Sequence, residues 1–83
     1  MTNAVILDLT GLKCPLPALR TAKALKSLMA GQNMIVICTD PMAAIDIPNL
    51  LRETGDMLAA DERDNDRLIF TICKAGSSAD AHE

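Results

Sequence analysis

The sequence predicts a two-layer α/β (α+β) sandwich of order βαβαββ, with two helices packed on one face of a four-stranded mixed sheet. Its length of 83 residues, 49% of them hydrophobic, suffices for one core and is too short for two. Strand-like and helix-like segments alternate twice and end in a hairpin, without an internal repeat or a linker. Because a strand–helix–strand unit crosses over right-handed, a single helical layer over the sheet is the most economical arrangement.

The first strand and the first helix follow from residues 4–30. Residues 4–9 (AVILDL) are short, apolar and bounded by a Thr-Gly pair, which is typical of a strand. The helix is predicted from Pro15 to Ala30, and Gly31 is expected to end it as a left-handed C-cap. Its predicted buried face consists of apolar residues at three- and four-residue spacing, namely Ala18, Ala22, Leu25 and Met29.

The second strand and the second helix are separated by an Asp-Pro turn. The nearly continuous apolar run Asn33–Thr39 predicts a strand that is buried on both faces or nearly so. Pro48 leaves two alternatives for the helix: Asp40 caps a helix that kinks at Pro48, or a turn precedes a helix that starts near Asp46. We prefer the second alternative, and Gly55 ends the helix in either case.

The last two strands form a predicted antiparallel hairpin. They span Met57–Glu62 and Arg67–Lys74, and the polar turn Arg63–Asp66 joins them. In the last strand, residues 68, 70 and 72 alternate with residues 69, 71 and 73, and one of these two sets faces the helices. The bare face of the sheet is expected to include the apolar residues Ile35, Ile37, Ile69 and Cys73. It is a candidate partner surface, unless these are the scattered exposed apolar residues of an ordinary protein.

Composition restricts the classes of partner. We expect one domain, residues 1–75, and a flexible tail, residues 76–83, whose small and polar residues show no periodicity. The N-terminus has no basic leader of a secretory signal, and no apolar run approaches the ~18 residues of a membrane span. One Phe, no Trp, no Tyr and a net charge of −3 argue against direct nucleic-acid binding through base stacking.

Charge is divided unevenly along the chain. Residues 1–31 hold four basic residues against one acidic residue, a net charge of +3, whereas residues 32–83 hold four against ten, a net charge of −6. Arg20, Lys23 and Lys26 lie on the polar side of the predicted first helix. They are candidates for docking an acidic partner, although a solvated helix face is the interpretation that we favour for most of them.

The three cysteines, Cys14, Cys38 and Cys73, include no C-x-x-C pair and no Cys/His pair at zinc spacing. Such an odd set predicts free thiols in a reducing cytoplasm and no metal site. Cys38 and Cys73 lie within apolar strands and are predicted to pack as small hydrophobic residues. The one histidine, His82, falls in the predicted tail, so a Cys-His catalytic pair is not expected.

Cys14 stands at the junction of the first strand and the first helix, in the segment GLKCPLP. Because the first helical turn tolerates proline, Pro15 is predicted at N1 and Pro17 at N3, with Cys14 as the N-cap. The helix dipole and the neighbouring Lys13 are expected to lower the pKa of the thiol, modestly, since the prolines remove two N–H donors. The rigid corner is expected to point the sulfur outward, whereas the alternative, a buried structural cysteine, is awkward at such a position.

No catalytic base accompanies this thiol in the sequence. Asp8 precedes Cys14 by six residues and could orient the loop, but binding of turn amides by an Asp at a strand end is the preferred interpretation. A thiol without a base, an oxyanion hole or a substrate pocket suits the transfer of a sulfane sulfur between proteins. The nucleophile can perform that exchange nearly alone.

Two motifs of the chain resemble those of a known family. The run Leu7–Pro17 (LDLTGLKCPLP) is similar to the C-P-x-P signature of the TusA-like (SirA-like) sulfurtransferases. Asp40-Pro41 followed by Asp46-Ile47-Pro48 is similar to the D-P…D-I-P segment of the same family. Together with the order of elements, the resemblance covers about residues 4–74.

The resemblance implies a two-layer sandwich and a persulfide on Cys14 as a covalent intermediate, without a bound cofactor. It implies that residues of the thiol loop support Cys14, namely Gly11, Lys13, Pro15, Leu16 and Pro17. It also implies that the second motif lies near this loop, with Asp40, Pro41, Asp46 and Pro48 as its members.

The partners are likewise implied by the resemblance. A cysteine desulfurase or a rhodanese-like protein donates the sulfur, and a downstream protein accepts it. Members of this family serve tRNA thiolation, molybdenum cofactor assembly or sulfur metabolism, so the resemblance implies a relay of one of these kinds. We expect a cytoplasmic monomer that acts as a sulfurtransferase, although the sequence leaves the oligomeric state open.

Two other functions compete with a sulfur carrier. A regulatory or protein-interaction module would bind its partner through the sheet face and hold Cys14 as a redox-sensitive or merely structural residue. Direct RNA binding by the cationic helix is the weaker alternative, because aromatic residues are scarce. Replacing Cys14 by Ser separates a carrier, which loses all transfer, from an interaction module, which keeps its partner.

Overall fold

The computed structural model describes residues 4–75, which form two helices and one four-stranded sheet. The elements are β1 (Ala4–Leu9), α1 (Leu16–Leu25), β2 (Asn33–Cys38), α2 (Ala43–Thr54), β3 (Met57–Asp64) and β4 (Arg67–Cys73). The strands are ordered β1-β2-β4-β3, with β1 parallel to β2 and the other two pairs antiparallel. The predicted βαβαββ sandwich with a mixed sheet is confirmed. The predicted tail, residues 76–83, lies outside the described residues.

The core lies between the helices and one face of the sheet. Alternate residues of the two central strands are buried there, namely Met34, Val36, Cys38, Leu68, Phe70 and Ile72. Leu25 of α1 and Ile47 and Leu51 of α2 belong to the same buried cluster. Of the two faces of β4 that the sequence left open, the one with Phe70 therefore faces the helices.

The opposite face of the sheet is apolar and open. It carries the four predicted residues Ile35, Ile37, Ile69 and Cys73, which are half-buried. On the outer strands, Ile6 pairs with Ile35 and is 65% exposed, and Met57 pairs with Cys73 and is 64% exposed. Strand β2, predicted to be buried on both faces or nearly so, is fully buried on one face and half-buried on the other.

The first helix is shorter than predicted and buries a different face. It ends at Leu25, and the chain then tightens, with the Leu28 N–H donating to the Leu25 carbonyl oxygen at 3.1 Å. This turn buries Leu28 and leaves Met29 76% exposed, so the prediction that Met29 joins the core was wrong. The helix buries Pro17, Thr21 and Leu25, while the predicted Ala18 and Ala22 are half-buried.

The second helix begins earlier than near Asp46, so the preferred alternative for its start was wrong. Its first residue is Ala43, and Met42 is its N-cap. Asp40 lies before the cap and accepts the Met42 N–H through Oδ1 at 3.1 Å. Pro48 lies inside the helix, which continues to Thr54 although proline supplies no N–H to its backbone ladder.

The hairpin has a tighter turn than predicted. Strand β3 extends to Asp64, and the turn consists of Asn65 and Asp66 alone. Asn65 has φ +58°, the left-handed conformation that two-residue hairpin turns favour because it matches the twist of the strands. The pairing of β3 with β4 is antiparallel, as predicted.

Two glycines after the helices have φ +85°, and they act differently. Gly55 is the left-handed C-cap of α2, as predicted, and donates its N–H to the Leu51 carbonyl oxygen at 2.8 Å. Gly31 lies in the turn before β2 and donates to the Lys74 carbonyl oxygen at 3.1 Å. The C-cap of α1 is Lys26, so the prediction that Gly31 caps this helix was wrong.

Gly55→Ala is expected to lower the free energy of unfolding by about 1 kcal/mol. A Cβ at Gly55 would meet nothing within 4 Å, so the cost comes from the left-handed backbone and not from a clash. Gly55→Asn is the matched control, because Asn tolerates this conformation and should cost less. Chemical denaturation of both variants measures the difference, and equal midpoints for Ala and glycine would contradict the expectation.

The described residues include no helix that is long and apolar enough to cross a membrane.

Candidate functional site

The two sequence motifs meet at one edge of the sheet. Parallel pairing of β1 with β2 places Leu9 beside Cys38 at the carboxyl ends of both strands. Residues 10–15 leave this edge toward α1, and residues 39–42 leave it toward α2. Functional residues in open α/β sheets commonly lie on loops at the carboxyl ends of parallel strands.

The start of the thiol loop is fixed by a glycine and a threonine. Gly11 has φ +88°, and its N–H donates to the Thr39 hydroxyl of the neighbouring loop at 2.9 Å. The Leu12 N–H donates to the Leu9 carbonyl oxygen at 3.1 Å, which closes a turn directly after β1. These two hydrogen bonds therefore fix the start of the thiol loop relative to the ends of β1 and β2.

Asp40 joins the thiol loop to the start of α2. Its Oδ2 accepts the backbone N–H of Cys14, and its Oδ1 accepts the N–H of Met42 at 3.1 Å. The two carboxylate oxygens thus accept one backbone N–H each, one from the loop before α1 and one from the start of α2. Because hydrogen bonds to an ionised acceptor are stronger than neutral ones, this bridge restrains the position of Cys14.

Cys14 does not cap the first helix, so that prediction was wrong. The N-cap is Pro15, and Leu16 and Pro17 follow as the first two helical residues. The Leu16 N–H donates to the Lys13 carbonyl oxygen at 2.8 Å, and the peptide bond between Cys14 and Pro15 is cis. Cys14 therefore precedes the cap by one residue.

The Cys14 thiol contacts a carboxylate. Its Sγ lies 3.1 Å from Oδ2 of Asp46, in the first turn of α2, and the thiol donates a hydrogen bond to it. This hydrogen bond raises the pKa of the Cys14 thiol, and loss of hydration and the charges of Asp46 and Asp40 act in the same direction. The pKa of Cys14 is therefore raised, which is opposite to the lowering expected from the helix dipole and Lys13.

The other residues of the two motifs surround this pair. Pro41 and Lys13 are exposed and line a shallow depression next to Cys14, together with Gly11, Leu12, Thr39 and Asp40. Pro48 is half-buried in α2, two residues beyond Asp46. Among residues 4–75, Lys13 forms no ion pair.

Exposed apolar side chains lie in the first turn of α1 and at the start of α2. Leu16 and Leu19 of α1 are 42% and 59% exposed, and Met42 and Ile45 at the start of α2 are 45% and 56% exposed. Sequence periodicity did not single out these residues, because it cannot tell which apolar residues near a helix end face the core. Exposed apolar residues at the starts of the two helices that follow the thiol loop and the Asp40 loop favour contact with another protein.

The basic residues Arg20, Lys23 and Lys26 are exposed on α1 or directly after it. Arg20 and Lys23 line an open groove with Leu7, Ala24 and Ser27, between α1 and β1. None of the three hydrogen-bonds to Cys14, Asp40 or Asp46, and they form no ion pair within the described part of the chain.

The other two cysteines differ from Cys14 in exposure. Cys38 is fully buried, and burial, with a smaller contribution from Asp40, raises the pKa of its thiol to about 11. Cys73 is half-buried, and all three cysteines are free. Cys38 packs in the core as predicted, which leaves Cys14 as the exposed thiol.

Asp8 binds a turn and does not contact the thiol. Its Oδ1 accepts the Thr10 N–H at 3.0 Å and the Thr10 hydroxyl at 2.5 Å. The hydrogen bond from the Thr10 side chain, followed by that from its backbone, lowers the pKa of Asp8. The interpretation preferred from the sequence, that Asp8 binds turn amides, is confirmed. His82 lies outside the described residues.

No group of three or more His, Cys, Asp or Glu side chains within residues 4–75 is placed to hold a metal ion.

Comparison with known proteins gives consistent results. The family model described as Sulfurtransferase TusA matches residues 5–74. The sulfur carrier protein TusA of Allochromatium vinosum is 38% identical over 69 residues, which cover 83% of this chain and 91% of that protein. The sulfur carrier protein TusA of Pseudomonas putida is 36% identical over 73 residues, which cover 88% and 91%.

A solved structure shares this architecture. The crystal structure of a SirA-like protein from Desulfitobacterium hafniense superposes with a TM-score of 0.75 at 26% sequence identity. The similarity covers 86% of this chain and 97% of the other.

Proposed function

The chain belongs to the TusA sulfurtransferase family and is a sulfur carrier in a sulfur relay, and from this premise we propose that Cys14 carries the sulfur as a persulfide. One observation supports the choice of residue. Cys14 is the exposed thiol of the three, and it lies on a loop that two strand ends and Asp40 hold in place. Cys38 is inaccessible, and Cys73 lies within a strand.

Loading is a thiol–persulfide exchange. The Cys14 thiolate attacks the outer sulfur of a persulfide on the donor, a new bond forms between Sγ and that sulfur, and the S–S bond of the donor breaks. The bonding electron pair leaves on the donor sulfur, which takes up the proton that Cys14 lost. Delivery repeats the exchange with a cysteine of the acceptor. No net electrons are gained or lost, and the covalent persulfide is the only intermediate that this mechanism requires.

The proposed donor is a cysteine desulfurase or a rhodanese-like protein, and the acceptor is a further protein of the relay. Exposed Leu16 and Leu19 in the first turn of α1 and exposed Met42 at the N-cap of α2 support docking of a protein rather than entry of a small substrate. Arg20 and Lys23 would add attraction for an acidic partner. We place the exchange in the cytoplasm, where free thiols stay reduced. We also propose that the protein acts as a sulfurtransferase, whose free Cys14 thiol is regenerated after each delivery.

A second candidate function is a regulatory or interaction module with a redox-sensitive cysteine. The observation that favours it is the apolar open face of the sheet, with Ile6 and Met57 mostly exposed at its outer strands. Such a module would bind its partner without taking up sulfur.

Sulfur loading separates the two functions. The reduced protein is incubated with a cysteine desulfurase and cysteine, and separately with a persulfidated rhodanese-like protein, and its intact mass is measured before and after. A carrier gains the mass of one sulfur atom, which peptide mapping places on Cys14 and which is lost when an acceptor is added. Absence of any added sulfur with both donor classes, or equal sulfur on Cys38 and Cys73, would contradict the proposal.

A further inference from the structure

The contact between Cys14 and Asp46 joins residues 32 positions apart in the sequence. Cys14 comes from the loop after β1, and Asp46 comes from the first turn of α2. The distance of 3.1 Å between Sγ and Oδ2 is that of a thiol donating a hydrogen bond to a carboxylate. The first turn of a helix favours negative charge, so the fold supplies an anionic acceptor at this place.

Two carboxylates act on the thiol, and one lysine precedes it in the sequence. Asp46 approaches from α2, Asp40 binds the Cys14 backbone from the loop after β2, and Lys13 is the preceding residue of the thiol loop. Neither carboxylate forms an ion pair with a Lys or Arg within residues 4–75. The negative charge near Sγ is therefore not neutralised by this part of the chain.

We propose that Asp46 is a positioning residue that holds the unloaded Cys14 thiol protonated and drives the carrier to release its sulfur. This inference rests on the proposed function of Cys14. The hydrogen bond needs a proton on Sγ, and only the unloaded cysteine has one. After loading, Sγ is bonded to a second sulfur, and the carboxylate instead faces a persulfide whose anion it repels.

Release then restores the hydrogen bond. The acceptor thiolate attacks the outer sulfur, the bond between that sulfur and Sγ breaks, and Sγ leaves with the electron pair. Sγ takes up the proton that the acceptor thiol lost and donates it again to Asp46 in a hydrogen bond. Asp46 thus stabilises the unloaded carrier, which is the product of delivery, relative to the loaded carrier. The exchange itself balances in atoms and electrons.

The first test measures alkylation of Cys14 by iodoacetamide as a function of pH, followed on the Cys14 peptide by mass spectrometry. Asp46→Asn is expected to move the midpoint to lower pH, because it removes the carboxylate that stabilises the protonated thiol. Below the midpoint the variant reacts faster, since the gain in thiolate outweighs the loss of nucleophilicity at a Brønsted coefficient of ~0.4–0.5.

Glu53→Gln is the matched control for this test. Glu53 is exposed near the far end of the same helix, so its replacement removes one charge without touching the thiol. Its midpoint should equal that of the wild type, and coincident midpoints for Asp46→Asn and the wild type would overturn the proposal. Should Asp46→Asn unfold, as judged by circular dichroism, Asp46→Ser removes the same charge and takes its place.

The second test measures the partition of sulfur. Carrier and glutathione persulfide are brought to equilibrium, and the loaded fraction is read from the intact mass. Asp46→Asn is expected to retain a larger loaded fraction than the wild type, and an equal or smaller fraction would overturn the release part of the proposal. If the wild type takes up no sulfur, the proposed function and the release part fail together. The alkylation profiles still decide whether Asp46 holds the thiol, because they need no sulfur donor.

Discussion

Cys14→Ser is expected to abolish sulfur uptake while leaving the fold intact. A serine hydroxyl cannot form or carry a persulfide, so the loss should be complete rather than partial. Because Cys14 is exposed and contributes no side chain to the core, its replacement should change the free energy of unfolding by less than ~0.5 kcal/mol. Intact mass after incubation with a desulfurase and cysteine measures the uptake, and thermal unfolding checks the fold.

The other cysteines provide the controls for this prediction. Cys73→Ser replaces a half-buried thiol at the end of β4, and Cys38→Ala replaces a fully buried one without adding a polar atom to the core. Both variants should still gain one sulfur on Cys14. Retained uptake in Cys14→Ser, or its loss in Cys73→Ser, would contradict the assignment of the carrier cysteine.

Strand patterns were predicted well because burial on one face of a sheet leaves a two-residue periodicity in the sequence. The alternation around Phe70 marked β4, and the apolar run after Asn33 marked β2 within one residue. Helix ends were predicted less well. The end of α1 depends on whether Leu28 or Met29 turns inward, which a tertiary contact decides and local spacing does not.

Proline gave an ambiguous signal in both helices. In the sequence Pro48 favours a late helix start, yet α2 continues through it, because packing of Ile47 and Leu51 in the core compensates for one missing backbone hydrogen bond. The sequence predicts Pro15 at N1, but Pro15 is the N-cap itself, so Cys14 precedes the cap by one residue.

The meeting of the two loops is a consequence of topology. Once β1 and β2 are parallel neighbours, the residues after Leu9 and after Cys38 must lie at one sheet edge. The reactivity of the thiol is not such a consequence. Whether the pKa of the thiol is lowered or raised depends on whether Sγ faces backbone N–H groups or the Asp46 carboxylate. These two arrangements differ by a few ångströms, which residue spacing does not encode.

The basic and the acidic side chains of the two halves of the sequence lie at different places in the fold. The basic side chains of α1 line its groove with β1, while the carboxylates of Asp40 and Asp46 flank the thiol. A partner that approaches Cys14 therefore meets both signs of charge at different points. Such an arrangement constrains the orientation of docking more than it raises affinity.

Asp40→Ala is expected to slow sulfur transfer while making the Cys14 thiol more acidic. The carboxylate accepts the N–H groups of Cys14 and Met42, so its loss frees the thiol loop from the start of α2. A displacement of the nucleophile by about 1 Å can cost about 100-fold in rate, and we expect a loss of that order. Removal of the Asp40 charge also lowers the pKa of Cys14, because that charge contributes to raising it. A faster alkylation below the midpoint should thus accompany a slower transfer.

Asp40→Asn separates the two effects of this substitution. It removes the same charge but keeps one carbonyl oxygen, which can accept one of the two backbone N–H groups. Both variants should shift the alkylation midpoint to lower pH alike, whereas transfer should fall from the wild type through Asn to Ala. Single-turnover delivery of sulfur from the desulfurase-loaded carrier measures the second quantity. Equal transfer rates in the two variants, both below the wild-type rate, would show that the charge of Asp40 matters and its hydrogen bonds do not. A wild-type rate in Asp40→Ala would show that neither the charge nor the hydrogen bonds position the thiol.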